Sequence, residues 1–161
     1  MDWQILFNKQ KELDEYISNQ HSLHGQNLLE EKILALLVEL GELANETRCF
    51  KFWSTKPRSE RSVILEEYVD NIHFLLSIGL EKGYHFSQIN FEKVNTDETL
   101  QFNHVFQKCL KFYVKKSKEN YLNLFKAYLQ LGHILGFDEE AIFKAYDKKN
   151  EVNYERQVQG Y

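Results

Sequence analysis

Residues 33–44 read ILALLVELGELA, in which ten uncharged residues surround two glutamates, Glu39 and Glu42. Asn27, with Glu30 three residues further on, is typical of a capping box and predicts a helix from Leu28 to about Cys49. On this helix the two glutamates lie about 60° apart, with Glu46 between them one turn further on. Carboxylates in so apolar a helix are costly to bury alone, and they repel one another when they share a face. We therefore expect a cation to neutralise them.

Outside this segment, apolar residues recur at intervals of three and four, and the chain of 161 residues contains only one proline and seven glycines. These features predict helices along nearly the whole chain. Short connections between helices are typical of an all-α bundle, which we expect to form a single domain over residues 1–161, with residues 95–136 as a hairpin added to a four-helix core. The five further helices are predicted near 3–19, 63–82, 97–116, 118–135 and from 139 to beyond 150. The predicted caps are Asp2, Gly83 at the end of the third helix, Asp97 or Thr96, Ser117 and Asp138.

Charge and composition exclude several classes of protein. The net charge is −4, and the 20 Lys and Arg are scattered among 24 Asp and Glu, which argues against polymeric nucleic acid as a partner. The longest uncharged apolar stretch, residues 72–80, is about half of the ~20 residues needed to cross a membrane. Cys49 and Cys109 lack metal-ligand spacing and are expected to be reduced thiols. We therefore predict a cytoplasmic protein with no membrane partner.

A second acidic pair lies in residues 66–79, EEYVDNIHFLLSIG, where Glu67 and Asp70 are three residues apart and face away from the apolar stripe. Phe74 shares their face, as expected for an aromatic that contacts a ligand. Either acidic pair alone is typical of a solvated helix surface. Two such helices side by side would instead gather four carboxylates suited to Mg²⁺ or Mn²⁺. A di-iron centre would require Glu-x-x-His on two helices, and here an acid stands where each His would be.

The acidic motifs resemble those of a known superfamily. ELGELANE (39–46), followed after about twenty residues by EEYVD (66–70), resembles the all-α NTP pyrophosphatases of the MazG-like superfamily, whose signature is Glu-x-x-Glu, a spacer and Glu-x-x-Asp. The runs NETRCFKFWS (45–54), DNIHF (70–74) and KKNEVNYERQVQGY (148–161) resemble the dimeric dUTPase family more narrowly. The resemblance implies Mg²⁺-dependent hydrolysis of dUTP to dUMP and pyrophosphate, with Mn²⁺ as a possible substitute, by a homodimer. The 12 Phe, 9 Tyr and 2 Trp also favour a dimer, since aromatic residues are enriched at interfaces.

The resemblance also assigns roles to individual residues. The metal ligands and catalytic residues implied are Glu39, Glu42, Glu67 and Asp70. Glu39 lies deepest in the apolar run and is our choice for the base that helps to deprotonate water, although the sequence does not separate it from Glu42. Some members have Asn three residues after the Gln of the first helix, whereas this chain has Leu13 followed by Asp14. The residues implied to bind substrate are Gln10, Trp53, His73, Phe74, Lys149, Asn153, Arg156 and Gln157. We add Asp14, which follows Leu13, and Lys51, which lies just before Trp53 and could reach a phosphate.

Two alternative functions stay open. The first is a pyrophosphatase for another nucleotide, such as dCTP or one with a damaged base, which would share the metal site and differ in the pocket. The residues that would decide between these substrates are Gln10, Asp14, Trp53 and Asn71. The second is a helical nucleotide-sensing or interaction module without catalysis. All four predicted ligand positions carry carboxylates, which argues against a degenerate site.

Overall fold

Six α-helices form the regular structure in the computed structural model, which describes residues 2–87 and 94–160. No β-strand occurs within these ranges, so the all-α prediction is confirmed. Tyr161, the last residue of the C-terminal motif, lies outside the described residues. The helices are α1 (Trp3–His21), α2 (Leu29–Thr47), α3 (Arg61–Lys82), α4 (Glu98–Val114), α5 (Lys118–Ile134) and α6 (Glu139–Val158).

Side-chain caps begin four of these helices as the sequence predicts. Asp2, Asp97, Ser117 and Asp138 each accept a hydrogen bond from a backbone N–H in the first turn of α1, α4, α5 and α6. Gly83 ends α3 with φ 67°, a left-handed conformation that glycine adopts without steric cost. These boundaries are predictable because each cap depends on residues close in sequence.

The predicted start of α2 is wrong. Leu28 is the N-cap, and its side chain makes no capping hydrogen bond. Asn27 instead accepts a hydrogen bond at 3.1 Å from the backbone N–H of Leu29, while Glu30 lies 3.1 Å from Lys116 and forms no capping box. The helix also ends two residues before the predicted end, because the next residue, Arg48, has a left-handed φ of 58°.

The helix α3 lies at the centre of the fold, in contact with α1, α2, α5 and α6. The pair α4 and α5 forms the expected hairpin, which packs on α2 and α3. Tyr68 of α3 stacks on Tyr128 of α5 with ring centroids 4.6 Å apart, and a Cβ added at Gly132 would lie 2.3 Å from the Tyr68 hydroxyl. This close contact holds the hairpin against the helix that carries the second acidic pair.

Two smaller expectations also concern the fold. Cys49 and Cys109 are both free thiols, and burial raises the pKa of Cys109 to about 12. Of the helices in the described ranges, none combines the length and the apolar character needed to cross a membrane.

Candidate active site

Three carboxylates from two adjacent helices converge beside α6. Glu39 of α2 and Glu67 and Asp70 of α3 each offer one oxygen, and these oxygens all lie within 4.8 Å of one another. All three side chains are partly buried. Glu42, the fourth predicted ligand, is exposed and stands outside this group. The three residues, called here the acidic cluster, are close enough to share one cation.

Repulsion and burial act together on the acidic cluster. The pKa of Glu39 is raised to about 7, mainly by burial and then by the charges of Asp70, Glu42 and Glu67. Burial also raises the pKa values of Glu67 and Asp70. Because the donor atoms are all hard oxygens and their charges disfavour one another, the cluster fits a divalent cation such as Mg²⁺ or Mn²⁺.

Lys149 of α6 compensates part of the negative charge of the acidic cluster, through its ion pair with Asp70. Its side chain is 8% exposed, and its Nζ lies 2.8 Å from Asp70 Oδ2 and 3.0 Å from Glu66 Oε1. Burial alone would lower the pKa of Lys149, but the hydrogen bonds to Asp70 and Glu66 outweigh that effect and raise it. A residue implied to bind phosphate is therefore also an internal counter-ion of the acidic cluster.

A second polar group, called here the α1 network, consists of Gln10, Asp14, His73, Ser77 and Tyr146. The buried Gln10 Oε1 accepts from the Tyr146 hydroxyl at 2.8 Å and lies 2.8 Å from His73 Nδ1. Gln10 Nε2 donates to Asp14 Oδ1 at 2.8 Å, and Ser77 Oγ donates to Asp14 Oδ2 at 2.6 Å. Since a carbonyl oxygen only accepts, these contacts assign the proton of the His73 ring to Nδ1.

The charge states of the α1 network follow from its burial. The pKa of His73 is lowered to about 3 by burial and, to a smaller extent, by the charge of Lys149, so its ring is neutral near pH 7. Its Nε2 has no hydrogen-bond partner among the described residues. The pKa of Asp14 is raised by burial, although the hydrogen bonds from Ser77 and Gln10 oppose the rise.

The acidic cluster and the α1 network meet one cavity of about 410 Å³. Leu13, Ile17 and Phe74 give part of its wall an apolar character. Eight of the ten residues predicted to bind substrate line it. The charged and polar residues of the lining are Gln10, Asp14, Lys32, Glu39, Asp70, His73, Ser77, Lys149, Asn153, Arg156 and Gln157.

The other two predicted substrate residues lie on the connector between α2 and α3, away from this lining. Trp53 is 65% exposed and packs edge-on against Phe52 at 5.0 Å. Lys51 borders a separate surface cavity together with Arg48 and Arg58. In the single chain, the connector and the main cavity are therefore distinct.

Sequence reasoning did not single out Lys32 or Tyr146 as site residues. Lys32 lies seven residues before Glu39, two turns away on the same face of α2, so the helical period could have identified it. Tyr146 carries no comparable signal, because its site contacts, to Gln10 and His73, join α6 to α1 and α3.

The fold and the site together define a class: an all-α protein whose paired helices present carboxylates to a cavity that also carries Lys and Arg from the last helix. A family model described as dUTPase matches residues 2–161, essentially the whole chain. The chain therefore belongs to this dUTPase family, whose members are nucleotide pyrophosphohydrolases. No curated protein matches the chain.

Proposed function

We propose that this chain is a metal-dependent dUTP diphosphatase that hydrolyses dUTP to dUMP and pyrophosphate. The observation that carries the proposal is one cavity lined by carboxylates of α2 and α3, by cations of α6 and by an apolar wall. These are the elements that a nucleoside triphosphate requires, since its phosphates need positive charge and its base needs a largely apolar slot. The family match supports the same assignment.

Mg²⁺, with Mn²⁺ as a substitute, would be held by Glu39, Glu67 and Asp70, and Glu42 lies one turn from Glu39 on the same helix. When bound, such a metal offsets the charge of the triphosphate and makes water a stronger nucleophile. Without a cation, three carboxylates so close together would repel a substrate that carries about four negative charges.

Different residues of the chain activate the water and bind the phosphates. Glu39, partly buried and nearest the apolar core of α2, accepts the proton of the attacking water. Lys149 and Arg156 bind phosphate oxygens, and the planar guanidinium of Arg156 suits two oxygens at once. Asn153 and Gln157 lie on the same helix and line the same cavity, where they add neutral donors.

The nucleoside is proposed to occupy the part of the cavity between Phe74 and the α1 residues Leu13 and Ile17. Gln10 and Asp14 border that part through the α1 network. Trp53 and Lys51 stay predicted substrate contacts, which requires that the connector reach the nucleotide during binding or across a dimer.

The direct test is to incubate the purified protein and Mg²⁺ separately with dUTP, dCTP, dTTP, dATP, dGTP and UTP, and to resolve the products by ion-exchange chromatography. We expect dUTP to give monophosphate and pyrophosphate, and EDTA to abolish the reaction. Cleavage of dCTP alone would support the proposed metal chemistry and contradict the proposed preference for uracil. Absence of any cleavage with Mg²⁺ or Mn²⁺ would favour the non-catalytic module.

We further propose that the protein acts as a homodimer. Leu34 and Val38 of α2 are 63% and 50% exposed, and Val114 at the end of α4 is 84% exposed. Leu34 and Leu110 also line an apolar groove between α2 and α4, and apolar surface of this kind is typical of an interface. Sedimentation at micromolar protein should give twice the chain mass of 19.3 kDa, and Leu34→Glu should shift the protein toward monomer. A monomer in the unaltered protein would contradict the proposal.

A further inference from the structure

Lys32 lies at the main cavity but has no role in the proposed hydrolysis. Its side chain is 19% exposed and lines the main cavity. Its Nζ lies 2.5 Å from Glu81 Oε2 and 4.0 Å from Asp14 Oδ2, and Glu81 also accepts a hydrogen bond at 3.1 Å from the backbone N–H of Leu28. Glu81 is therefore fixed at the start of α2, and it holds the Lys32 ammonium beside Asp14.

Asp14 presents a fixed acceptor next to that ammonium. Gln10 and Ser77 both donate to its carboxylate, one to each oxygen. Two incoming donors require acceptor oxygens, and each oxygen keeps a further lone pair. Since the Asp14 side chain is 26% exposed and lines the cavity, a ligand can reach it.

Charge decides which part of a nucleotide these groups can meet. Lys32 contributes one positive charge, whereas Asp14 and Glu81 contribute two negative charges, so this part of the cavity does not attract a triphosphate. The phosphates would instead be bound by Lys149 and Arg156 together with the metal that the acidic cluster would hold. The apolar residues Leu13, Ile17 and Phe74 line the same cavity and suit a flat ring.

A donor beside an acceptor matches the imide edge of uracil, in which a ring N–H lies next to a carbonyl. We infer that Lys32 is a specificity-determining residue, which donates to a carbonyl oxygen of the base while Asp14 accepts from the ring N–H. This inference rests on the proposed nucleotide hydrolysis. Because the glycosidic bond fixes the ring, cytosine in the same position would set its N3 lone pair against Asp14 and its amino group against Lys32. The pair therefore favours uracil over cytosine.

The test compares Lys32→Met with Lys11→Met, which removes a lysine of α1 whose side chain is 65% exposed. Calorimetry in Mg²⁺ would measure binding of α,β-imido-dUTP, of its cytosine counterpart and of imidodiphosphate. We expect Lys32→Met to weaken α,β-imido-dUTP binding about 10- to 100-fold, to reduce the preference over the cytosine analogue and to leave imidodiphosphate binding unchanged. Lys11→Met should change none of these values, and Lys32→Arg should restore most of the preference.

A purely structural role would give a different result. If Lys32→Met weakens all three ligands equally, or leaves the preference for uracil intact, the inference is overturned while nucleotide hydrolysis stands. If the unaltered protein binds none of the nucleotide analogues, the proposed function fails and the inference fails with it.

A second measurement needs no variant of the protein. The N3-methyl derivative of α,β-imido-dUTP lacks the ring N–H, so the unaltered protein should bind it at least about tenfold more weakly than the parent compound. Equal affinity for the two compounds would exclude Asp14 as the acceptor.

Discussion

The acidic cluster and the α1 network border the same cavity, but repulsion between charges dominates the first and hydrogen bonding dominates the second. In the acidic cluster, Glu39, Glu67 and Asp70 are close together and their charges are incompletely compensated, so the pKa values of all three are raised. In the α1 network, Gln10 Oε1 accepts hydrogen bonds of 2.8 Å from both His73 and Tyr146, and His73 is neutral. A bound cation would therefore relieve repulsion in the acidic cluster, whereas hydrogen bonds already hold the α1 network in place.

This difference concerns stability as well as function. Removing a charge from the acidic cluster should stabilise the metal-free protein, because it relieves repulsion. Removing a hydrogen-bonding group from the α1 network should destabilise the protein, because it leaves a buried partner unsatisfied. The sign of the change in stability therefore distinguishes the proposed metal site from the proposed nucleobase site.

Glu39→Gln should have the largest effect on the reaction. Loss of the proposed base should lower turnover about 10²- to 10⁴-fold. The folded pKa of Glu39 is raised from 4.5 to about 7, so its ionisation destabilises the fold as pH rises through that range. In EDTA at pH 8 the variant should therefore melt about 2–4 °C higher than the unaltered protein, equivalent to about 1 kcal/mol for a half-buried group, and the gain should vanish below about pH 4.5.

Circular dichroism at pH 4 and pH 8 would measure both melting temperatures. Glu12→Gln, at an exposed position of α1, is the control and should change neither turnover nor melting temperature appreciably. Wild-type turnover would remove Glu39 from the mechanism, and a lower melting temperature at pH 8 would contradict the view that its charge is uncompensated.

Lys149→Met should destabilise the protein, in contrast to Glu39→Gln, although Lys149 contacts the same acidic cluster through Asp70. It removes the buried counter-ion of Asp70, 2.8 Å away, and should reduce the free energy of unfolding by about 2–4 kcal/mol at pH 7. The neighbouring Lys148 is exposed, so Lys148→Met is a matched control with an expected change under about 0.5 kcal/mol. Urea unfolding would measure both, and equal changes in the two variants would mean that Lys149 does not stabilise the acidic cluster.

The sequence predicts most of the helix boundaries and the acidic pair on each of α2 and α3, since both depend on local spacing. Asp138 caps α6 through residues three positions away, and Glu67 and Asp70 share a face because they lie one turn apart. The ion pair between Lys149 and Glu66, by contrast, joins residues 83 positions apart in sequence. Periodicity contains no information on such pairs, because only the packing of α6 against α3 brings them together.

The α1 network illustrates the same limit in a different way. The resemblance alone predicts that Gln10 and His73 contact the substrate. Their contact with each other depends on the packing of α1 against α3, and Tyr146 completes it from α6. The predicted capping box of α2 is wrong for the opposite reason. Asn27 and Glu30 have the required local spacing, but Glu30 forms an ion pair with the distant Lys116.

Tyr146→Phe should have a smaller effect, opposite in sign to that of Glu39→Gln. It removes one of the two donors to Gln10 Oε1 and should cost about 1 kcal/mol, or about 2–4 °C in melting temperature. The control is Tyr113→Phe, because Tyr113 is 47% exposed. The loss should be similar at pH 5 and pH 8, since neither Gln10 nor the neutral His73 titrates there. A loss confined to one of these pH values would contradict a neutral His73 at both.

Trp53→Ala tests whether the connector between α2 and α3 contributes to the nucleotide site. Of these substitutions it should have the smallest effect on stability. With 65% of Trp53 exposed, the free energy of unfolding should change by less than about 0.5 kcal/mol. If Trp53 reaches the nucleotide, its truncation should raise KM for dUTP about 3- to 10-fold, since ring stacking contributes about 0.5–1.5 kcal/mol. Phe52→Ala is the matched control, because Phe52 is 94% exposed on the same connector and is not a predicted contact. The same KM in both variants would exclude Trp53 from the nucleotide site, whereas a rise confined to Trp53→Ala would mean that the connector completes the cavity when substrate binds.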